Sequence, residues 1–99
     1  MRTMMRVTIP VEGGNAAIKN GRLTEVMERL MSDLKPEAAY FTADGGNRTA
    51  YFFINLKDVS DIPSVVEPFF MELNARVELM PVMNAEDLKR GLARVLGNV

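Results

Sequence analysis

The chain has 99 residues, 47% hydrophobic and 25% charged, with 12 basic and 13 acidic side chains and a net charge of −1. This is the make-up of one globular domain spanning residues 1–99 with a single modest core, and it lacks the basic surface on which nucleic-acid binding depends. Neither cysteine nor histidine is present, which excludes disulfides, thiolate nucleophiles, zinc sites and Ser-His-Asp catalysis, and removes the commonest general base.

No Asp/Glu cluster has the spacing of a calcium loop, so neither a metal nor another cofactor is expected. No apolar run approaches the roughly 20 residues that span a bilayer. The opening Met1-Arg2-Thr3-Met4-Met5-Arg6 lacks the apolar core of a signal peptide. The expectation is a bacterial-type cytoplasmic protein with no membrane and no nucleic-acid partner.

Met4 to Val11 alternates, with Met5, Val7, Ile9 and Val11 on one side and Met4, Arg6, Thr8 and Pro10 on the other, which predicts a first strand. Glu12-Gly13-Gly14 should break it, with Asn15 capping a short helical turn from Ala16 to Lys19 and Asn20-Gly21 interrupting again. Leu23, Val26, Met27, Leu30, Met31 and Leu34 then form one helical stripe over Arg22–Leu34, ended by Lys35-Pro36.

The next segment, Ala38 to Leu56, reads as a β-hairpin around Gly45-Gly46. A two-residue turn of the primed type sets Asp44 opposite Asn47, Thr42 opposite Thr49, Tyr40 opposite Tyr51 and Ala39 opposite Phe52. That register places Tyr40, Thr42, Thr49, Tyr51, Phe53 and Asn55 on one face. Phe41, Ala43, Ala50, Phe52, Ile54 and Leu56 fall on the other, which is wholly apolar, and a one-residue slip would mix the two sets. Asp44 and Arg48, beside the turn, are read as solvated.

Ser60 or Asp61 is expected to cap a second long helix with Pro63 in its first turn and a stripe of Ile62, Val65, Val66, Phe69 and Leu73, kinked at Pro68. Ala75 to Met83 is the fourth strand, an edge because Pro81 cannot donate to a central ladder. Asn84 caps a terminal helix whose Leu88, Leu92, Val95 and Leu96 need a surface to dock on.

The order β-α-β-β-α-β with right-handed crossovers predicts an α+β, ferredoxin-like antiparallel sheet of order 4-1-3-2, with its helices on one face and an extra helix at the C-terminus. The helices should cover Met5, Val7, Ile9, Phe41, Phe52, Ile54, Val77 and Leu79. The open face then carries Arg6, Thr8, Tyr40, Thr42, Tyr51, Phe53, Asn55, Glu78, Met80 and Val82. It is too aromatic to be left wholly in water.

On that element order, and on the AAYFTADGGNRTAYFF hairpin and the NARVELMPVMNAEDL segment, the chain resembles the dimeric α/β-barrel superfamily and small bacterial proteins of unassigned function. The resemblance implies a homodimer with two sheets face to face around a sheet-lined cavity for a small molecule. The superfamily's cofactor-free monooxygenases and isomerases imply a second reading, in which Tyr40, Tyr51, Arg6 and Asn55 act on a phenolic or enolic substrate. Its haem members that use a proximal histidine have no match here.

Two further readings were weighed on the residues. Thr49 to Leu56 loosely resembles the RNA-stacking strand of an RRM, but lacks its leading basic residue and its glycine. An ACT-like regulatory module would hold a ligand at Glu12-Gly13-Gly14-Asn15. Arg6 and Glu78 are expected to be cross-strand neighbours, either as an ion pair or with Arg6 orienting an anionic ligand.

Overall fold

The computed structural model describes residues 1–97. In chain order it contains β1 (Arg2–Ile9), α1 (Val11–Lys19), α2 (Arg22–Leu34), β2 (Ala38–Asp44), β3 (Asn47–Asn55), α3 (Ile62–Leu73), β4 (Arg76–Pro81) and α4 (Ala85–Val95). The four strands form one antiparallel sheet in the order β2-β3-β1-β4, the expected order seen from the other edge. Pro81 closes an edge strand, as its missing N–H requires.

Alternation decides which face is core. Met5, Val7 and Ile9 of β1 and Ala50, Phe52 and Ile54 of β3 are buried on the helical side, together with Val26 and Leu30 of α2 and Val65, Val66, Phe69 and Leu73 of α3. The Phe52 and Phe69 rings pack at 5.9 Å between centroids, tying sheet to helix. Arg22 and Arg29 of α2 both reach Glu72 of α3, which joins the two helices at their outer edge.

The hairpin has the expected register, with Tyr40 opposite Tyr51 and Thr42 opposite Thr49. Gly45 and Gly46 have φ of 61° and 81°, the left-handed pair that a primed turn demands. Gly21 at φ 77° breaks α1 from α2.

Several boundaries differ from expectation, each for a local reason. β1 lies two residues earlier than Met4–Val11, because the chain turns helical directly after Pro10. The Pro10 carbonyl accepts the Gly14 N–H at 2.8 Å, so Gly13 and Gly14 sit inside α1 and do not break the chain ahead of it. A methyl group at Gly14 would stand 3.2 Å from Ile9 Cγ2 and 2.6 Å from the Arg48 guanidinium, so close packing selects glycine there despite its helix cost. Asn15 is not a cap: its Oδ1 accepts from Arg48 at 3.0 Å, so the half-buried Arg48 is held against α1 through exposed hydrogen bonds.

The cap ahead of α3 is Asp58, whose Oδ2 accepts from the Ser60 N–H at 3.0 Å at the start of a short 3₁₀ turn, while Asp61 makes no side-chain cap bond. α3 continues through Pro68 as one helix. β4 ends at Pro81, shorter than the expected Ala75–Met83. Phe41 was expected in the core but is 60% exposed. It lies on the outer strand β2, lines a small apolar pocket with Leu23 and Met27 of α2, and meets Phe52 edge-on (5.9 Å).

The C-terminal helix shows the largest departure from a compact body. Asn84 and Asp87 form a reciprocal capping box, as the sequence suggests. Yet no residue of α4 is buried. The molecule measures 56 × 28 × 18 Å with a radius of gyration of 16.1 Å, whereas a compact domain of this length has about 13 Å. α4 projects from the body. Among the described residues no helix is long and apolar enough to cross a membrane.

Candidate functional site

The face of the sheet away from α1–α3 is organised in rows that run across the strands. The register puts Ala38, Phe53, Met4 and Met80 in one straight line from β2 to β4, and this row is entirely apolar. The next row is Tyr40, Tyr51, Arg6 and Glu78, and the one beyond it is Thr42, Thr49, Thr8 and Arg76. An apolar band therefore borders a polar one, and the chemistry is confined to the polar band.

Arg6 is the centre of that band. Its Nη2 lies 3.1 Å from Asp44 Oδ2, its Nε lies 3.9 Å from Glu78 Oε1, and its guanidinium carbon stands 5.9 Å from the Tyr51 ring centroid. The expected Arg6–Glu78 neighbourhood is present, but the closer partner is Asp44. Although Asp44 sits at the turn and was read as solvated, its side chain reaches back along the face. The signal was available, because Asp44 has the same strand parity as Tyr40 and Thr42 and so shares their face.

Asp44 Oδ2 also accepts from the Tyr51 hydroxyl at 2.6 Å. This hydrogen bond raises the Tyr51 pKa above the ordinary 10.0, and desolvation and the Asp44 and Glu78 charges push the same way against the opposing pull of Arg6. The bond is intact below pH 10.0 and is lost as the pH rises through the elevated value. Ultraviolet titration of wild type minus Tyr51→Phe should show one tyrosine ionising later than a free tyrosine, and Asp44→Asn should bring it back towards 10.0. A Tyr51 that titrates normally in the wild type would mean the contact does not persist in solution.

Among the described residues, Arg6 Nε and Thr8 Oγ1 are the buried side-chain polar atoms without a hydrogen-bond partner. They sit in adjacent rows of one strand, and Thr8 is only 8% exposed. Leaving such groups unpaired costs about 1–3 kcal/mol each, so this is the place on the sheet where an added acceptor gains most.

The remaining predicted residues do not all converge on Arg6. Tyr40 is exposed on the edge strand and packs edge-to-face on Phe53 at 6.4 Å. Asn55 lies four residues from Tyr51, about 13 Å along the strand, where its Oδ1 accepts from the Met1 ammonium at 2.8 Å. It is therefore not beside the Tyr51 hydroxyl. Phe53 and Met80 belong to the apolar row, and Thr42 is exposed at the end of the threonine row. The Glu12–Asn15 junction lies within α1, where the Gly14 N–H bonds Pro10, so it does not form an open anion-holding turn.

A concavity apart from this band, an open groove of about 850 Å³, lies at the Asn55 end between the sheet and the root of α4. Within it Arg2 donates from Nε to Glu37 and from Nη1 to Asp87, both at 3.0 Å, while Lys35 also lines it. Hydrogen bonding from Asn84 at the helix cap, followed by the Arg90 and Arg2 charges, holds the Asp87 carboxyl below its usual 3.8. The Arg2 contacts across this groove tie α4 to the sheet. Among the described residues there is no group of three or more Asp or Glu placed to hold a metal ion.

The arrangement can bind an acceptor oxygen at Arg6 and Thr8 beside an aromatic wall. No protein-family model matches the chain, and no curated protein matches it.

Proposed function

We propose that the chain is a ferredoxin-like domain that pairs with a second copy over its open sheet face, in the manner of a dimeric α/β barrel, and holds a small molecule in the sheet-lined space between the copies. The observation that carries this reading is Arg6 beside Tyr51, its Nε without a hydrogen bond and 3.9 Å from Glu78, on a face whose neighbouring row is wholly apolar. The ligand class follows from the lining. A carboxylate, carbonyl or enolate oxygen would meet Arg6 and Thr8, and a planar apolar body would lie on Tyr51 and Phe53. The protein is read as bacterial and cytoplasmic, and the chemistry calls for no metal or other cofactor.

A second reading is cofactor-independent oxygenation or isomerisation of a phenolic or enolic substrate. The 2.6 Å Tyr51–Asp44 hydrogen bond favours it, because it sets a proton acceptor next to the ligand position. Tyr51 and Asp44 would carry such a step, with Arg6 stabilising the developing oxyanion.

Sedimentation equilibrium tests the assembly. A dimer is expected at micromolar concentration, and Tyr51→Arg, which sets a second cation beside Arg6 at the centre of the face, should shift it to monomer. A wild-type monomer would overturn the reading, as would a Tyr51→Arg dimer of unchanged affinity. Native mass spectrometry of the purified dimer, and a titration with hydroxybenzoates as probes, would then report on the ligand.

A further inference from the structure

Among the apolar surfaces of a single copy that its own chain leaves partly or wholly open, two matter here. One is the sheet row Ala38, Phe53, Met4 and Met80. The other is the α4 stripe of Leu88, Leu92 and Val95, exposed by 46%, 51% and 82%. They do not meet in the same chain, because the root of α4 is clamped. Arg2 holds Asp87 and Glu37 together, the Asn84–Asp87 capping box fixes the first turn, and the helix leads away from the body. Cap and clamp order only that first turn. An isolated helix shorter than about 12–15 residues is marginal in water, so the outer turns need a surface to lie on.

We propose that α4 is an exchange arm whose Leu88–Leu92–Val95 stripe lies across the Ala38–Phe53–Met4–Met80 row of a second copy, which returns its own arm in the same way. This rests on the homodimer reading and adds what covers the sheet. Three observations select the second copy's row as the occupant. The first is length: beyond the clamped first turn, Leu88 to Val95 of α4 spans about 10–11 Å, which fits within the about 14 Å that three strand spacings put between the outer strands of the sheet. The second is charge. Beyond Asp87 the helix has no carboxylate, and with Arg90 turned away and paired to Asp87 it leaves Lys89 and Arg94 on the flanks of the stripe, while the row bordering the apolar one holds Glu78 beside Arg6, onto which Asp44 also reaches.

The third is symmetry. A reciprocal exchange is one contact made twice, so it covers both of these surfaces on each copy and closes without leaving an end for further addition. The arm would also wall the polar row that carries Arg6 and Tyr51, so each site is complete only with the other copy present.

The absence of native cysteine makes the test direct. Full-length chains carrying Leu92→Cys or Leu88→Cys are mixed with differently tagged chains carrying Met4→Cys or Met80→Cys and oxidised. Inter-chain disulfides between arm and row positions are expected. In parallel, the full-length double variant L88E/L92E should weaken dimerisation about tenfold or more, with its melting temperature measured on dilute monomer as the folding control. These side chains are exposed within one copy, so the fold should tolerate the change.

Disulfides between two Leu92→Cys arms, with none to the row, would overturn the proposal in favour of paired helices. A wild-type dimer that L88E/L92E leaves intact but Tyr51→Arg dissociates would overturn the arm and leave the sheet interface standing. A monomer that floats with phosphatidylserine vesicles through α4 would overturn both.

Discussion

Phe69→Ala should destabilise the chain by about 3–5 kcal/mol, the usual cost of deleting a buried aromatic ring. Phe69 has no exposed surface, and its ring packs on Phe52, the central apolar side chain of β3. Alanine would leave a cavity in the layer where α3 packs on the sheet. A domain of this size has roughly 5–15 kcal/mol of total stability, so the variant should sit near its unfolding transition at 37 °C. Urea denaturation is the measurement, with Phe70→Ala as the control. Phe70 is its chain neighbour but 42% exposed, and its loss should cost about 1 kcal/mol or less. Equal effects at the two positions would contradict the placement of the core.

Arg6→Met should reduce affinity for a hydroxybenzoate probe by about 10- to 100-fold, the loss of one charge-assisted contact, while leaving the fold close to wild type. The split between binding and stability follows from exposure. The side chains of Arg6, Asp44 and Glu78 are 34%, 37% and 48% exposed, and ion pairs so placed contribute only about 0–1 kcal/mol. Methionine keeps most of the apolar stem that lies against Tyr51. Isothermal titration alongside thermal melts separates the two roles. If stability fell by several kcal/mol while probe affinity held, Arg6 would be a fastening of the sheet and not a ligand contact.

Part of this architecture was legible because the side-chain period of a strand admits no ambiguity once one face is apolar. The segregation of Phe52 and Ile54 from Tyr51 and Phe53 fixes the hairpin register, and the Gly45-Gly46 pair names the turn. Pro81 marks an edge, and with right-handed crossovers that suffices for the strand order. Arg6, Tyr51 and Glu78 were placed in one row by the same parity.

What misled was local propensity overridden by contacts distant in sequence. Gly13 and Gly14 read as a break, yet Arg48, more than 30 residues further on, packs over Gly14 and would have to shift to admit a side chain there. Asp44 read as a solvated turn residue, yet Arg6 and Tyr51 together draw its carboxylate onto the sheet. Phe41 has core parity but borders an open apolar pocket between α2 and the outer strand, a matter of how closely a helical layer fills the sheet edge and not of pattern.

The sequence by itself determined the elements, the strand order and the identity of the two sheet faces, because each depends on periodicity and on the backbone limits of glycine and proline. Only the tertiary structure decided three things: that Asp44 is the close partner of Arg6 and Tyr51, that Asn55 is occupied by the N-terminus at the far end of the strand, and that α4 stands away from its own core. These depend on the reach and direction of side chains and of one clamped helix, quantities that a one-dimensional pattern does not contain.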